Sequence, residues 1–153
     1  MRAGLADVRG LIAVSVGVGP GPRPAGFAPT AVEAAGLDNV FHLTPGFYSG
    51  SSPDGDEGFR SLRALGVKTI ISVDGAKPDV ERARAHGLRY VHLPIGYDGV
   101  PEAQGLRLAR AVHDLPGPIY VHCHHGKHRG PAAAAVAQRC LDEKCTAAQA
   151  VAW

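Results

Sequence analysis

The chain has 153 residues, 45% of them hydrophobic, which is enough for one domain built around a single core. Its 16 basic and 14 acidic residues leave a net charge of +2, too even for nucleic-acid binding through a broadly basic surface. Three cysteines are an odd number without metal-ligand spacing, so no disulfide framework is indicated.

The N-terminal region carries a weak targeting signal. Residues 11–19 are apolar and follow Arg2 and Arg9, an arrangement similar to a signal peptide, but Asp7 lies in the charged part and a clean cleavage site is missing. The run is too short to span a bilayer, so we expect no stable membrane span. A degenerate export signal and an uninformative tail both stay open. The compartment is therefore open as well, with the cytoplasm favoured and a periplasmic or exported location as the alternative.

The two ends of the chain set the predicted domain boundaries. Residues 19–29 are rich in Gly and Pro and predict a flexible linker or a disordered segment. We therefore assign residues 1–36 to an N-terminal tail and residues 37–153 to one folded domain. Thr146 is suited to cap a last helix, but the chain stops at Trp153 after barely two turns. This predicts that the domain is truncated at its C-terminus.

Between these ends, apolar runs of strand length alternate with helical periodicity and with Gly or Pro breaks. The run 67–73 shows little alternation, which is typical of a parallel strand covered on both sides. The sequence therefore predicts an α/β fold with a central, mainly parallel sheet flanked by helices. The predicted strands are 40–43, 47–49, 67–73, 88–93 and 118–121, and the predicted helices are 53–65 (capped by Ser52), 78–86, 101–115 and 132–140.

Two aspartates follow predicted strands, at the sheet edge where open α/β folds usually bind ligands. Asp74 closes the strand 67–73, either to orient a residue of a neighbouring loop or as a solvated turn residue. Asp98 is the one carboxylate of loop 94–101, which Gly and Pro punctuate. Its two alternatives are a proton-donating acid and a turn residue that caps its own backbone.

The stretch YVHCHHGKHRGP, residues 120–131, carries most of the functional information. It joins a strand to an Ala-rich helix, so its backbone N–H groups and the positive end of the helix dipole meet at one anion-binding spot. Cys123 stands at the entrance of the loop and Arg129 at its exit. The amides, the dipole, the arginine and the neighbouring histidines all favour the thiolate. We therefore expect the pKa of Cys123 to fall from about 8.5 into the range of roughly 3.5–7.5, which gives a nucleophile ionised at neutral pH.

A cysteine preceded by His122 and followed after five residues by an arginine resembles the phosphate-binding loop of the cysteine-based protein tyrosine phosphatases. The internal sequence GKHR, residues 126–129, is most similar to the atypical dual-specificity branch of that superfamily. The resemblance covers about residues 39–152 and implies the three-layer architecture of dual-specificity phosphatases. It also implies hydrolysis of phosphoric monoesters through a phosphocysteine, with no metal and no other cofactor.

The resemblance assigns the chemistry to three side chains. Cys123 is the nucleophile, Arg129 forms a bidentate fork to the phosphate, and Asp98 is the general acid that protonates the leaving oxygen. Glu102 is the fallback acid, although a Glu in the first turn of a helix normally complements the helix dipole.

Other residues of the loop have supporting or binding roles. His122 would hold the loop backbone from below, and Asp74 is a further supporting residue. The histidines are either substrate contacts or solvated rim residues. The implied partner is a phosphorylated protein or a small, highly anionic phosphate such as an inositol pyrophosphate. The predicted phosphate-binding residues are His124, His125, Gly126, Lys127, His128 and Arg129.

One position departs from the family pattern and keeps other functions open. The arginine is usually followed by Ser or Thr, whose hydroxyl helps the thiolate leave the phosphoenzyme, whereas this chain has Gly130 and then Pro131. The departure implies slower turnover or a pseudophosphatase-type module that binds phosphate without turning it over. A sulfurtransferase, which also uses an anion-binding cysteine loop, is a second alternative. A zinc site within residues 122–128 is disfavoured because adjacent strand residues point to opposite faces.

Overall fold

The structure is a computed structural model, and it describes residues 19–21 and 23–143. Within these residues, six strands form one sheet and four helices pack against it. The strands are β1 Thr30–Ala34, β2 Leu37–Thr44, β3 Phe47–Gly50, β4 Thr69–Ser72, β5 Arg89–His92 and β6 Ile119–His122, and the helices are α1 Gly55–Ala64, α2 Val80–Ala85, α3 Glu102–Asp114 and α4 Arg129–Glu143.

The strands lie in the order β1-β2-β3-β6-β4-β5. The first three pair antiparallel, whereas β3, β6, β4 and β5 run parallel to one another. Parallel neighbours need crossover connections, and the helices supply them. The predicted α/β fold with a mainly parallel central sheet is confirmed. Because β6 has parallel neighbours on both sides, all four of its residues are buried.

Successive side chains of β6 point to opposite faces of the sheet, as strand geometry requires. Ile119 and Val121 pack in one apolar cluster with residues of α3 and α4, and Tyr120 packs in another with residues of α1 and α2. This is the predicted three-layer arrangement. The layers place the start of α4 directly after the end of β6, so the connecting loop lies at the carboxyl edge of the parallel strands. The small, buried side chains that let α4 approach the sheet closely are Ala133, Ala134 and Ala137.

The sheet extends further toward the N-terminus than the sequence predicted. β1 lies before residue 37, where we expected the domain to begin, and Thr30 pairs with His42 of β2. Its five residues, TAVEA, contain a single β-branched apolar side chain, so pairing with β2 rather than local preference defines this strand. Phe27 packs edge-on against His42, with ring centroids 5.5 Å apart, so part of the predicted linker lies on the sheet.

Two helix starts also differ from the prediction. α1 begins after Asp54 rather than after Ser52, whose backbone N–H instead donates to the carbonyl of His124 at 3.1 Å. α4 begins at Arg129 rather than at Ala132, so the arginine of the loop is already helical. None of the described helices is both long and apolar enough to cross a membrane. The apolar run up to residue 18, together with Cys145 and Thr146, lies outside the described residues.

Candidate active site

The loop between β6 and α4 folds back against the segment that follows β3. Gly126 makes this approach with a φ of +74°, a left-handed conformation that glycine adopts readily. A Cβ at this position would lie 2.5 Å from the carbonyl carbon of Gly50 and 2.7 Å from the backbone nitrogen of Ser51. Any larger residue would therefore push the loop away from its support.

The backbone of this loop curls around the sulfur of Cys123. Burial raises the pKa of the Cys123 thiol, but hydrogen bonds from the backbone N–H groups of Gly130, His128, Gly126 and Lys127 lower it further than burial raises it. The net shift of the pKa is downward, as the sequence predicted. Cys123 is only 3% exposed, so the sulfur lies at the bottom of a ring of amides. A ring of this kind stabilises a thiolate and, equally, the oxygens of a bound anion.

The carbonyl groups of the same loop point away from the sulfur and are held by the surrounding fold. The carbonyl of Cys123 accepts from His122 Nδ1 at 3.1 Å, and that of His124 accepts from the Ser52 amide at 3.1 Å. The carbonyl of His125 accepts from Asn39 Nδ2 at 2.8 Å. The C=O and N–H groups of a trans peptide point in opposite directions. Fixing the His125 carbonyl outward therefore directs the Gly126 amide, which follows it, toward the sulfur.

His122 holds the loop from below, in the place that the sequence suggested. Its ring is buried, which lowers the pKa of His122 to about 4 and keeps the imidazole neutral at physiological pH. Because a carbonyl only accepts, Nδ1 carries the proton that bonds to the Cys123 carbonyl, and Nε2 accepts from the Tyr90 hydroxyl at 2.7 Å. Burial raises the pKa of Tyr90, so the phenol also stays neutral and remains a donor.

The side chain of Arg129 forms an ion pair with Asp74. Arg129 Nη2 donates to Asp74 Oδ1 at 2.9 Å, and both side chains are 12% exposed. Asp74 is thus buried and paired with the loop arginine, an arrangement that is consistent with the predicted orienting role. His92 Nε2 donates to the Asp74 carbonyl at 2.7 Å and steadies it from β5. Arg129 Nε is buried without a hydrogen-bond partner among the described residues, so a donor remains for a ligand.

The loop between β5 and α3 reaches the same arginine through Tyr97. The Tyr97 hydroxyl accepts from Arg129 Nη2 at 3.1 Å, and the guanidinium carbon lies 4.4 Å from the centre of the ring. Tyr97 is nevertheless 76% exposed, so it covers the arginine from the solvent side. Asp98 is the next residue, exposed in the turn at the tip of this loop. Glu102 is the first residue of α3, where its charge complements the helix dipole.

The side chains of His124, His125 and Lys127 lie to one side of the sulfur. They form one wall of an open cleft of about 520 Å³, which we call the side cleft; its other lining residues are Asp38, Asn39, Ser51, Ser52, Pro53 and Asp54. Of the six predicted phosphate-binding residues, Gly126, Lys127 and His128 direct amides to the sulfur and Arg129 supplies a free donor. His124 and His125 contribute carbonyl anchors and cleft-lining rings instead.

Two further observations concern the alternatives raised by the sequence. A Cβ added at Gly130 would lie 3.1 Å from the Cys123 nitrogen and 3.4 Å from its sulfur, so a hydroxyl at this position would reach the sulfur. A serine or threonine at this position would thus contact the Cys123 sulfur, whereas Gly130 does not. Among the described residues, no group of three or more His, Cys, Asp or Glu side chains has the geometry of a metal site.

Three of the contact residues were missed from the sequence. Tyr97 was passed over beside Asp98, although an aromatic residue in a Gly- and Pro-punctuated loop after a strand is a recognisable signal. Asn39 and Tyr90 lie in or beside ordinary strands, and nothing in their local sequence indicates that they meet the loop. The strand order brings them there, because β6 lies between β3 and β4.

The fold and this loop together define a class: the chain resembles the cysteine-based phosphatases of dual-specificity type and has their fold. The chain is also similar in sequence to one of these proteins. The dual specificity protein phosphatase TpbA of Pseudomonas aeruginosa is 30% identical over 95 residues, which are 60% of this chain and 42% of TpbA. The chain thus spans less than half the length of that curated relative. No protein-family model matches the chain.

Solved structures give the same result for the fold. The crystal structure of P. aeruginosa TpbA matches with a TM-score of 0.61 at 25% identity, over 82% of this chain and 76% of that one. A cysteine-to-serine variant of TpbA in complex with phosphotyrosine matches at 0.64 and 23% identity, over 84% and 80% of the two chains. The catalytic core of the PP-IP phosphatase SIW14 from S. cerevisiae, in complex with citrate, matches at 0.60 and 20%, over 70% and 69%.

Proposed function

We propose that this protein hydrolyses phosphoric monoesters through a phosphocysteine formed on Cys123. The observation that carries the proposal is the ring of four backbone amides on the Cys123 sulfur, which lowers the pKa of the thiol and forms a cradle for a tetrahedral anion. The buried Nε of Arg129, which has no hydrogen-bond partner within the part of the chain that the structure describes, supports it, since a buried donor without an acceptor is costly unless a ligand supplies one.

Binding of the substrate would use the groups that already surround the sulfur. The amides of residues 126–130 would donate to the phosphate oxygens, and Arg129 would offer Nε together with Nη2 as a two-pronged donor. Nη2 is shared with Asp74 and Tyr97 in the absence of substrate. The Asp74 contact keeps the guanidinium in place, so a bound phosphate meets an arginine that is already oriented.

The first chemical step transfers the phosphoryl group to sulfur. The Cys123 thiolate attacks phosphorus in line, the S–P bond forms, and the P–O ester bond breaks with its electron pair on the leaving oxygen. Asp98, in its protonated form, gives that oxygen its proton and becomes a carboxylate. Support for Asp98 comes from its neighbour Tyr97, which brings this loop to Arg129. Charge that develops on phosphorus oxygens is stabilised by amides and guanidinium already in position.

The second step returns the cysteine to its starting state. Water attacks the phosphocysteine and gives a proton to the Asp98 carboxylate, the S–P bond breaks, and orthophosphate leaves with the thiolate restored. Gly130 provides no hydroxyl to stabilise the departing sulfur, so we expect this step to limit the rate. The amide ring would still stabilise the thiolate as it leaves.

The relatives and the side cleft support one substrate class over the other. TpbA is named a dual specificity protein phosphatase and one of its variants was solved with phosphotyrosine, whereas SIW14 is named a PP-IP phosphatase. The side cleft sets His124, His125 and Lys127 against Asp38 and Asp54, so its charge is mixed. A mixed cleft suits a peptide better than a second phosphate, and we therefore favour phosphorylated proteins over inositol pyrophosphates.

Metal-free hydrolysis of para-nitrophenyl phosphate by the wild type, Cys123→Ser and Asp98→Asn tests the mechanism. Cys123→Ser should abolish turnover, while Cys140→Ser, a matched change outside the loop, should retain it. Asp98→Asn should lower kcat/KM about 10²-fold or more on esters with poor leaving groups. The decrease should be smaller on activated esters, because only the former need a proton. Retained activity in Cys123→Ser, or loss of wild-type activity on adding a chelator, would contradict the proposed mechanism.

Burst kinetics and a sulfur-transfer assay distinguish this function from the two alternative functions. A burst that approaches one equivalent, followed by steady release of product, supports a phosphatase whose second step is slow. A burst of one equivalent followed by negligible turnover would indicate a trapping, pseudophosphatase-type module, for which Gly130 is the favouring feature. Sulfur transfer from thiosulfate to cyanide without hydrolysis of phosphate esters would indicate a sulfurtransferase.

A further inference from the structure

Asn39 has an unusual backbone for its place in a strand. Its φ is +52°, and it is the one non-glycine residue with a positive φ among those the structure describes. Most side chains avoid this left-handed region, and Asn is one of the few that tolerate it. A strained conformation of this kind persists when surrounding contacts over-determine it, and such positions cluster at functional sites.

The side chain of Asn39 contacts the loop between β6 and α4. Its Nδ2 donates to the carbonyl of His125 at 2.8 Å, across 86 residues of sequence. That carbonyl belongs to the peptide that links His125 to Gly126, and the N–H of the same peptide donates to the sulfur of Cys123. Because C=O and N–H are antiparallel in a trans peptide, a donor on the outer side of the loop fixes the direction of the donor on the inner side.

This peptide needs an external anchor more than its neighbours do. Gly126 follows it, and glycine populates both signs of φ with similar ease, so rotation of the 125–126 peptide meets little intrinsic resistance. The preceding carbonyls are held by the buried ring of His122 and by the backbone amide of Ser52. The His125 carbonyl is held by a side chain, that of Asn39, at a more exposed position.

We propose that Asn39 is a positioning residue for the nucleophile: its carboxamide locks the 125–126 peptide so that the Gly126 N–H points at the Cys123 sulfur and at the phosphate that replaces it as acceptor. The inference deepens the proposed function and rests on it. Asn39 touches neither substrate nor sulfur, and it acts through one peptide plane. Its left-handed backbone coincides with the register shift between β1 and β2, where Val32 pairs with Val40 and Ala34 pairs with Leu37.

The test measures the thiol pKa of Cys123 from the pH dependence of its alkylation by iodoacetamide, with Cys123→Ser identifying the signal. The variants are Asn39→Ala and Asn39→Gly. Both remove the carboxamide, but glycine accepts a positive φ and alanine does not, so only Asn39→Ala should lower the melting temperature clearly. Both should raise the thiol pKa by about half a unit and lower kcat/KM roughly three- to tenfold, as loss of one exposed hydrogen bond would.

The two variants distinguish the effect of the Asn39 hydrogen bond from the effect of the backbone conformation. If Asn39→Gly behaves like the wild type while Asn39→Ala does not, the backbone conformation is what matters and the inference is overturned. Unchanged thiol pKa and kcat/KM in both variants would overturn it as well. A wild-type thiol with an ordinary pKa and no hydrolysis would remove the proposed function itself, an outcome visible before either variant is made.

Discussion

Arg129 Nη2 donates a hydrogen bond to Asp74 Oδ1 at 2.9 Å, and the pair links two loops at one edge of the sheet although the residues are 55 positions apart in sequence. Asp74 follows β4 and Arg129 opens α4 after β6, the strand that pairs with β4. The ion pair thus connects the segments that follow two neighbouring parallel strands, at the edge of the sheet where the loop between β6 and α4 lies. It orients the one guanidinium that the loop contains.

Removal of Asp74 should loosen this arginine and destabilise the fold. Asp74→Ala leaves a mostly buried guanidinium without its counter-charge, which we expect to cost about 2 kcal/mol of unfolding free energy, less than for a fully buried pair. The less ordered arginine should lower kcat/KM by about tenfold or more. Asp79→Ala is the control, since Asp79 is a half-exposed carboxylate that caps α2. Equal effects of the two variants on kcat/KM would contradict a specific role for the Asp74 contact.

Restoration of a hydroxyl at Gly130 should speed hydrolysis of the phosphocysteine. A serine Cβ would lie 3.4 Å from the Cys123 sulfur, so its hydroxyl could donate to the departing thiolate. A hydrogen bond to a charged group is worth about 1.5 kcal/mol or more, which corresponds to roughly tenfold in rate. Gly130→Ala has the same Cβ, 3.1 Å from the Cys123 nitrogen, and reports the crowding alone. Rapid-quench measurement of dephosphorylation should rank Gly130→Ser above Gly130→Ala, and the reverse order would contradict the argument.

Tyr97 should compete with anions for Arg129. Its hydroxyl accepts from the Nη2 that a phosphate would also use, so Tyr97→Phe removes the competing acceptor and keeps the ring over the guanidinium. We expect inorganic phosphate, used as a competitive inhibitor, to bind about two- to fivefold more tightly to this variant. Tyr48→Phe makes the same change on β3, where Tyr48 stacks on His42, and should leave the inhibition constant unchanged. Weaker phosphate binding to Tyr97→Phe would mean that the hydroxyl assists the site.

His122 should make stability fall in weak acid. Its pKa is about 4 in the folded state against 6.5 in the unfolded chain, so the unfolded chain binds more protons between these values. The contribution of the neutral His122 to the free energy of unfolding is intact above pH 6.5 and is lost as the pH falls toward 4. The loss amounts to about 2.5 kcal/mol at pH 4.5. Urea unfolding at pH 7.5 and 4.5 should show this extra loss in the wild type and in the exposed-site control His113→Asn, but not in His122→Asn. Equal losses in all three would contradict the assignment.

The elements that the sequence predicted well are those governed by local signals. The buried run that became β4 and the alternation of strands with helices follow from dihedral preference and hydrophobic period. The loop from Cys123 to Arg129 is continuous in sequence, so its concave ring of amides could be predicted without knowing which other segments contact it. β1 was missed, because its residues have little strand preference and gain it by pairing with β2.

A thiol and a guanidinium at the two ends of a glycine-containing loop between a strand and a helix are evident from the amino-acid sequence, because that arrangement is local. The contacts that hold the two groups in place became evident only from the folded chain. Asp74, Tyr97 and Asn39 reach the loop from distant parts of the chain. Their meeting depends on strand order and layer packing, which are set by the burial of the whole sheet rather than by any neighbouring residues. Hydrogen bonds over such separations form only once that packing has brought their partners together.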